Sequence, residues 1–248
     1  MAGHSKWANI KHRKGAQDAK RGKIFTKLIK EITVSAKEGG PDSETNPRLR
    51  LAIQNAKGAN MPKDTIERAI NKATGADAAD YLELTYEGYA PNGVAVYVEC
   101  STDNQNRTVS NVRSIFNKNG GSLGKNGSLE FIFDRKGIFN FALPEGMNED
   151  DLQLELIDAG AEDVEIEDNY VVVTSAMEDF GSVNNKLTEM SIETENAGLQ
   201  RIPNTTVELD DETFVKVMKL IDKLEDDDDV QKVYHNLEIK ESQIALLD

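Results

Sequence analysis

The chain has 248 residues, of which 38% are hydrophobic and 29% are charged, and its net charge at pH 7 is -15. This composition is typical of a globular protein with two or three compact units, and the sequence has no run of about 18 apolar residues that could cross a membrane. The N-terminus lacks the apolar segment of a secretory signal, and the single cysteine, Cys100, excludes an internal disulfide, so we expect a cytoplasmic protein.

The charge is divided unequally along the chain. Residues 1–75, which we call the basic head, contain 16 Lys or Arg and 7 Asp or Glu, whereas residues 76–248, the acidic body, contain 13 and 37. The head therefore carries a net charge of +9 and the body -24. Such a distribution favours binding of a polyanion by the head and keeps the body away from it. The alternative is that the head docks on the acidic body of the same molecule.

The chain begins with a strongly basic stretch. Residues 2–16 have few apolar side chains and no sustained period, which predicts a mobile arm. Trp7 is suited to stacking on a base while nearby cations neutralise phosphates, although it could equally anchor the arm to the body. The candidate nucleic-acid contacts of the arm are Lys6, Trp7, Lys11, His12, Arg13 and Lys14.

A helix is predicted from Asp18 to Lys37, ending at Gly39 and Gly40. Its apolar residues recur at helical spacing on one face, whereas lysines at intervals of three and four residues occupy the opposite face. A lysine stripe is often a solvated surface, but its continuity with the arm favours phosphate contact. The candidate contacts here are Lys20, Arg21, Lys23, Lys27 and Lys30.

Two shorter helices complete the head. The first starts at Asn46 and Pro47, with Asn as N-cap, and ends near Gly58; the second runs from about Asn60 to Gly75. The pair resembles a helix-turn-helix, but this pattern is common in any small helical bundle and is therefore a weak signal of DNA binding. Six cations lie on the remaining faces and extend the predicted basic surface: Arg48, Arg50, Lys57, Lys63, Arg68 and Lys72.

After a polar linker at residues 76–80 the pattern changes to strands. A hairpin is predicted around Pro91, Asn92 and Gly93, followed by an Asn-rich segment and a helix that ends at Gly120. Leu129, Phe131 and Phe133 mark the next strand. In the Asn-rich segment, Asn104, Asn106 and Arg107 are candidates for nucleic-acid contact, but these side chains could equally cap the helix.

Further strand and helix units follow to the C-terminus. Strands are predicted at residues 138–143, 164–166, 170–174, 199–202, 205–209 and 230–234, with intervening helices that contain Leu152, Leu187 and Phe214. The body is therefore predicted to be α+β, with helices covering small sheets. The five consecutive acids Glu225 to Asp229 lack the alternating ligands and Gly of a calcium loop, which favours a solvated loop.

The sequence argues against an enzyme. It has no nucleophile and base motif, phosphate-binding loop or dinucleotide fingerprint, and no cluster with metal-ligand spacing. His4 and His12 lie in the arm, and His235 is isolated. We therefore expect no catalytic residues, no metal and no cofactor.

Several segments together resemble the YebC/PmpR family, in order and over essentially the whole chain. They are MAGHSKWANIKHRKGAQDAKRGKIFTKLIKEI, NPRLRLAIQNAKGANMPKDTIERAI, YEGYAPNGVAV, TDNQNRTVSNVR, NGGSLG, AGAEDV and DDVQKVYHN. The resemblance implies three domains: the arm and helical domain at 1–76, a middle α+β domain from 77–133 with 204–248, and an inserted α+β domain at 134–203.

The resemblance also implies two functions that differ in class. Some members of the family are described as DNA-binding transcriptional regulators, whereas others act in translation on the ribosome and relieve stalling on proline-rich sequences. The expectation is a nucleic-acid-binding regulator of gene expression, in the first case a transcriptional regulator. The alternative is a ribosome-associated translation factor that binds rRNA or tRNA.

Overall fold

The fold of the computed structural model, which describes residues 21–75 and 80–247, is α+β as predicted. Helices form the N-terminal region, and two four-stranded antiparallel sheets follow. The helices are α1 (Arg21–Gly39), α2 (Pro47–Gly58), α3 (Lys63–Ala73), α4 (Gln105–Lys118), α5 (Glu149–Asp158), α6 (Phe180–Glu189), α7 (Asp211–Glu225) and α8 (Glu241–Ile244). The strands are β1 (Leu82–Tyr89), β2 (Ala95–Thr102), β3 (Ser122–Leu123), β4 (Phe133–Ala142), β5 (Ala161–Glu167), β6 (Tyr170–Ala176), β7 (Asn196–Pro203) and β8 (Val230–His235).

By its internal contacts the chain divides into two compact units. Of the described residues, the first unit contains 21–27, 80–134 and 202–247, and the second contains 28–75 and 135–201. Each unit holds a hydrophobic core of its own. The division into three domains at 1–76, 77–133 with 204–248, and 134–203 stays a prediction.

The first unit is built on a sheet with the strand order β3-β1-β2-β8. The predicted hairpin joins β1 to β2, and Asn92 adopts a positive φ of 59° in the tight connection. Alternate residues of β2 point to opposite faces: Val96 and Val98 join α4 and α7 in the main core, whereas Tyr97 joins a smaller cluster with Phe133 on the other face. The two helices thus cover one face of the sheet, as the sequence predicted.

The second unit is built on a sheet with the order β5-β6-β4-β7. Phe139, Phe141 and Val173 of this sheet pack with Leu152 of α5 and Leu187 of α6. The helix α2 belongs to the same unit. Its Asn55 amide exchanges two hydrogen bonds of 2.8 Å with the backbone of Ala197 at the start of β7.

The strand predicted at Leu129, Phe131 and Phe133 is wrong over most of its length. Residues 127–132 form turns, and β4 begins only at Phe133. The buried carboxylate of Glu87 accepts hydrogen bonds from the backbone amides of Gly127 (2.8 Å) and Leu129 (2.7 Å), which fixes the turn. Phe131 is consequently 87% exposed instead of facing a core.

A second strand prediction, at residues 205–209, is also wrong. The backbone there makes an isolated parallel bridge between Val207 and Leu237 and no extended ladder. The amide of Val207 donates to the carbonyl of Asn236, and the amide of Glu238 donates back to the carbonyl of Val207. The segment is therefore held by two backbone hydrogen bonds before α7 begins.

Candidate nucleic-acid interface

Seven of the candidate contact residues lie outside the described residues: Lys6, Trp7, Lys11, His12, Arg13, Lys14 and Lys20. The others lie on two elements. Arg21, Lys23, Lys27 and Lys30 are on α1, and Asn104, Asn106 and Arg107 are at the start of α4.

At the beginning of α1, two of the candidate lysines contact the C-terminal end of α7. The ammonium of Lys23 lies 2.9 Å from a carboxylate oxygen of Asp226 and donates to the carbonyl of the same residue at 3.0 Å. The ammonium of Lys27 donates to the carbonyl of Glu225 at 2.8 Å. Carbonyls at a helix C-terminus lack intrahelical partners and carry partial negative charge, so a lysine is stabilised there.

The other two candidates on α1 differ from these. Arg21 is exposed, and its guanidinium carbon lies 5.3 Å from the ring centre of Phe25 one turn later, in a cation-π contact. Lys30 is partly buried. Lys23, Lys27 and Lys30 therefore all lie on α1 but have different surroundings, and the lysine stripe as a phosphate-binding face stays a prediction.

A second set of cations lies on α2 and α3. Arg48 is bound within the unit, because its guanidinium contacts Glu31 at 2.9 Å and Glu38 at 2.7 Å. Lys57, Arg68 and Lys72 are exposed, and the last two lie one turn apart on α3. These exposed side chains present positive charge to solvent.

The Asn-rich segment caps a helix. The side-chain oxygen of Asn104 accepts a hydrogen bond from the amide of Arg107 at 3.1 Å, which is the N-cap arrangement that the sequence left open. Asn106 is exposed in the first turn.

Arg107 forms an ion pair within the first unit. Its guanidinium donates to both carboxylate oxygens of Asp229, at 2.8 to 3.0 Å, and to Asp103 at 2.8 Å. The hydroxyl of Thr108 also donates to Asp229 at 2.9 Å. The Asp229 side chain is 7% exposed, and these hydrogen bonds to Asp229 and Asp103 raise the pKa of Arg107.

Asp229 is a structural residue that the sequence did not single out. It sits at the end of the five consecutive acids, and neither its spacing from Arg107 nor its burial follows from local pattern.

Three further findings concern the described residues. In residues 21–75 and 80–247 no group of three or more His, Cys, Asp or Glu is arranged to hold a metal ion. Among the helices of the same described ranges, none has the length and apolar character needed to cross a bilayer. Cys100 is buried, as expected for a small apolar residue in a strand.

The fold and the charges define an α+β protein with a helical, basic N-terminal region and two antiparallel sheets. The chain belongs to the TACO1/YebC family: residues 5–76 match the model of the TACO1/YebC protein N-terminal domain, and residues 81–237 match the TACO1/YebC second and third domain.

Named relatives and a solved structure agree with this assignment. The chain is 61% identical over 239 residues to a probable transcriptional regulatory protein of Amoebophilus asiaticus, covering 96% of this chain and 98% of the relative. It is 55% identical over 238 residues to the probable transcriptional regulatory protein YrbC of Bacillus subtilis, covering 95% and 99%. The crystal structure of the conserved hypothetical protein Aq1575 from Aquifex aeolicus superposes with a TM-score of 0.80 at 45% identity, covering 90% of this chain and 93% of that one.

Proposed function

We propose that this protein is a nucleic-acid-binding regulator of gene expression, and more narrowly a DNA-binding transcriptional regulator. The observation that carries the proposal is the charge of the basic head, with exposed cations on α2 and α3 and an acidic remainder. Such a protein approaches a polyanion head first. The names of the relatives, probable transcriptional regulatory proteins, support the same function.

The mechanism follows from the chemistry of the cations. Lys and Arg side chains of the arm and of the exposed helical surface neutralise phosphates and release counterions. For duplex DNA, each phosphate contact therefore lowers the affinity by about 0.9 logarithmic units for every tenfold rise in salt concentration. Phosphate contacts of this kind position a protein without reading sequence. Trp7, Asn104 and Asn106 carry the ring and amide groups that are suited to contacts with bases.

The first test compares two triple variants that lose the same charge. The head variant carries Lys57→Gln, Arg68→Gln and Lys72→Gln; the control carries Lys118→Gln, Lys125→Gln and Lys219→Gln, whose side chains are exposed in the acidic body. Binding of labelled duplex DNA, measured by fluorescence anisotropy over a range of salt concentrations, should weaken about tenfold or more in the head variant and its salt slope should flatten. Equal losses in both variants would contradict a contact surface on α2 and α3.

Deletion of residues 2–16 tests the arm separately. The truncated protein should lose most of its affinity for nucleic acid, while its unfolding transition in urea stays close to that of the full chain. Unchanged affinity would remove the arm from the interface.

The second candidate function is that of a ribosome-associated translation factor that binds rRNA or tRNA. The observation that favours it is Trp7 among cations, since unpaired bases of folded RNA offer faces on which an aromatic ring stacks. Crosslinking in cells followed by sequencing of the bound nucleic acid separates the two candidates. Discrete promoter peaks support transcription regulation, whereas enrichment of rRNA or tRNA supports the ribosomal function.

A further inference from the structure

The segment Glu225 to Asp229, here called the acidic segment, lies against Lys23 and Lys27, two of the candidate nucleic-acid contacts on α1. It begins with Glu225, the last residue of α7, and contains five consecutive carboxylates. Its first two residues also carry carbonyls of the helix C-terminus, where the helix dipole adds negative charge. Phosphate groups and this segment therefore offer a lysine the same kind of partner.

Lys23 and Lys27 both engage the acidic segment. Lys23 contacts the carboxylate and the carbonyl of Asp226, at 2.9 and 3.0 Å, and Lys27 contacts the carbonyl of Glu225 at 2.8 Å. The ammonium groups donate to oxygens as they would to a phosphate. While these contacts exist, the two lysines have fewer donors to offer a polyanion.

The acidic segment is held in place from its other end without the lysines. Asp229 accepts hydrogen bonds from Arg107 and Thr108, and its carbonyl accepts one from the amide of Ser101 at 2.8 Å. The carboxylate of Asp227 accepts a hydrogen bond from the side-chain amide of Asn111 at 3.1 Å. The negative surface is therefore preformed, and departure of the lysines would leave it folded.

The contact of Lys23 with Asp226 is of a kind that a polyanion can displace. The side chains of Lys23 and Asp226 are each 45% exposed, and ion pairs at such positions are weak and are screened by salt. Asp229, by contrast, is buried and shares two oxygens with Arg107. The acidic segment is thus firmly held at Asp229, whereas the partner of Asp226 can exchange.

We propose that the acidic segment is an internal competitor for nucleic acid: it occupies Lys23 and Lys27 in the free protein and lowers the affinity of the basic head until phosphates displace it. The inference rests on the proposed function, because it concerns regulation of that same interface. The coupling is reciprocal: the factor by which the acidic segment lowers the affinity of the two lysines for nucleic acid is also the factor by which bound nucleic acid weakens their binding to the segment.

The test removes charge from the competitor and compares it with the same change elsewhere. The variant Glu225→Gln with Asp226→Asn keeps both backbone carbonyls but removes the Asp226 carboxylate that pairs with Lys23 and the negative charge of the Glu225 side chain. It should bind labelled duplex DNA or single-stranded RNA about fivefold more tightly than the wild type. The control, Glu130→Gln with Asp134→Asn, also loses one Glu and one Asp charge at exposed positions of the body. The control should bind like the wild type, and urea unfolding of both variants reports whether they remain folded.

A double-mutant cycle separates competition from general repulsion. In a background of Lys23→Gln with Lys27→Gln, the gain from Glu225→Gln with Asp226→Asn should disappear, because the segment then no longer holds these two ammonium groups. A gain that persists in this background, or that the control equals, overturns the inference and leaves the proposed function standing. Absence of binding by the wild type and all variants overturns both, whereas binding that appears only after the acids are removed supports both.

Discussion

The buried carboxylate of Asp229 is the residue on which the start of α4 and the acidic segment depend. Replacing it with Ala removes the partner of two Arg107 donors and of the Thr108 hydroxyl. We expect Asp229→Ala to lower the free energy of unfolding by about 2 to 3 kcal/mol, less than for a fully buried pair because the Arg107 side chain is 46% exposed. Urea denaturation followed by circular dichroism measures this change.

The matched control is Asp228→Ala, the exposed neighbour in the same segment, which should change stability by less than about 0.5 kcal/mol. Similar losses in the two variants would mean that net charge, and not the ion pair with Arg107, determines the effect. At this scale the sequence predicted half of the arrangement. Helix capping by Asn104 follows from residue type and position, whereas the partner of Arg107 lies 122 positions away and leaves no local signal.

Among the helices, the connection between α1 and α2 depends on one side chain. Asn46 is buried; its oxygen accepts from the amide of Leu49 at 3.0 Å, and its amide donates to the carbonyls of Ser35 and Gly40 at 2.8 Å. We expect Asn46→Ala to cost about 2 to 3 kcal/mol of unfolding free energy, because it removes a cap and leaves the Ser35 carbonyl without this donor in the interior.

A helix cap of the same residue type provides the comparison. Asn148 is exposed and accepts a hydrogen bond from the amide of Asp151 at the start of α5, at 3.0 Å. Asn148→Ala should therefore cost only about 1 kcal/mol in the same urea titration. An equal cost for the two substitutions would contradict the claim that Asn46 joins α1 to α2 in addition to capping.

The elements also show where pattern reading succeeds and where it fails. The start of α2 at Asn46 and Pro47 and the hairpin around Asn92 were predicted and are confirmed, since both depend on residues next to each other in the chain. The strand predicted at Leu129, Phe131 and Phe133 is wrong because the alternation of apolar residues is overridden by a carboxylate 42 residues upstream, Glu87. Periodicity carries no information about such a partner.

For the whole molecule, the sequence predicted the α+β class and the segregation of charge, but not which charges meet. The contact of Lys23 with Asp226 joins positions 203 residues apart, at the two ends of the first unit. The alternative that the head docks on the acidic body was open from composition alone. In the structure, Lys23 and Lys27 of the head contact the acidic segment of the body. The arm lies outside the described residues.

Charge segregation makes a prediction about salt that separates stability from binding. The acidic body holds 37 Asp or Glu against 13 Lys or Arg, so its self-repulsion destabilises the free protein at low ionic strength. Raising KCl from about 20 to about 300 mM shortens the Debye length severalfold and should increase the free energy of unfolding by about 1 kcal/mol. The same change should weaken nucleic-acid binding, by about 0.9 logarithmic units per phosphate contact for each tenfold rise in salt.

Urea titrations and anisotropy titrations at matched salt concentrations measure the two responses, which should have opposite signs. A variant with Glu225→Gln, Asp226→Asn and Asp228→Asn should gain less stability from salt than the wild type, because three of the repelling charges are absent. Stability that falls with salt in the wild type would show that ion pairs such as those of Lys23 and Arg107 outweigh the repulsion. In that case ion pairs would stabilise the folded protein more than charge repulsion destabilises it, and Lys23 would hold the acidic segment more tightly than the exposure of the pair indicates.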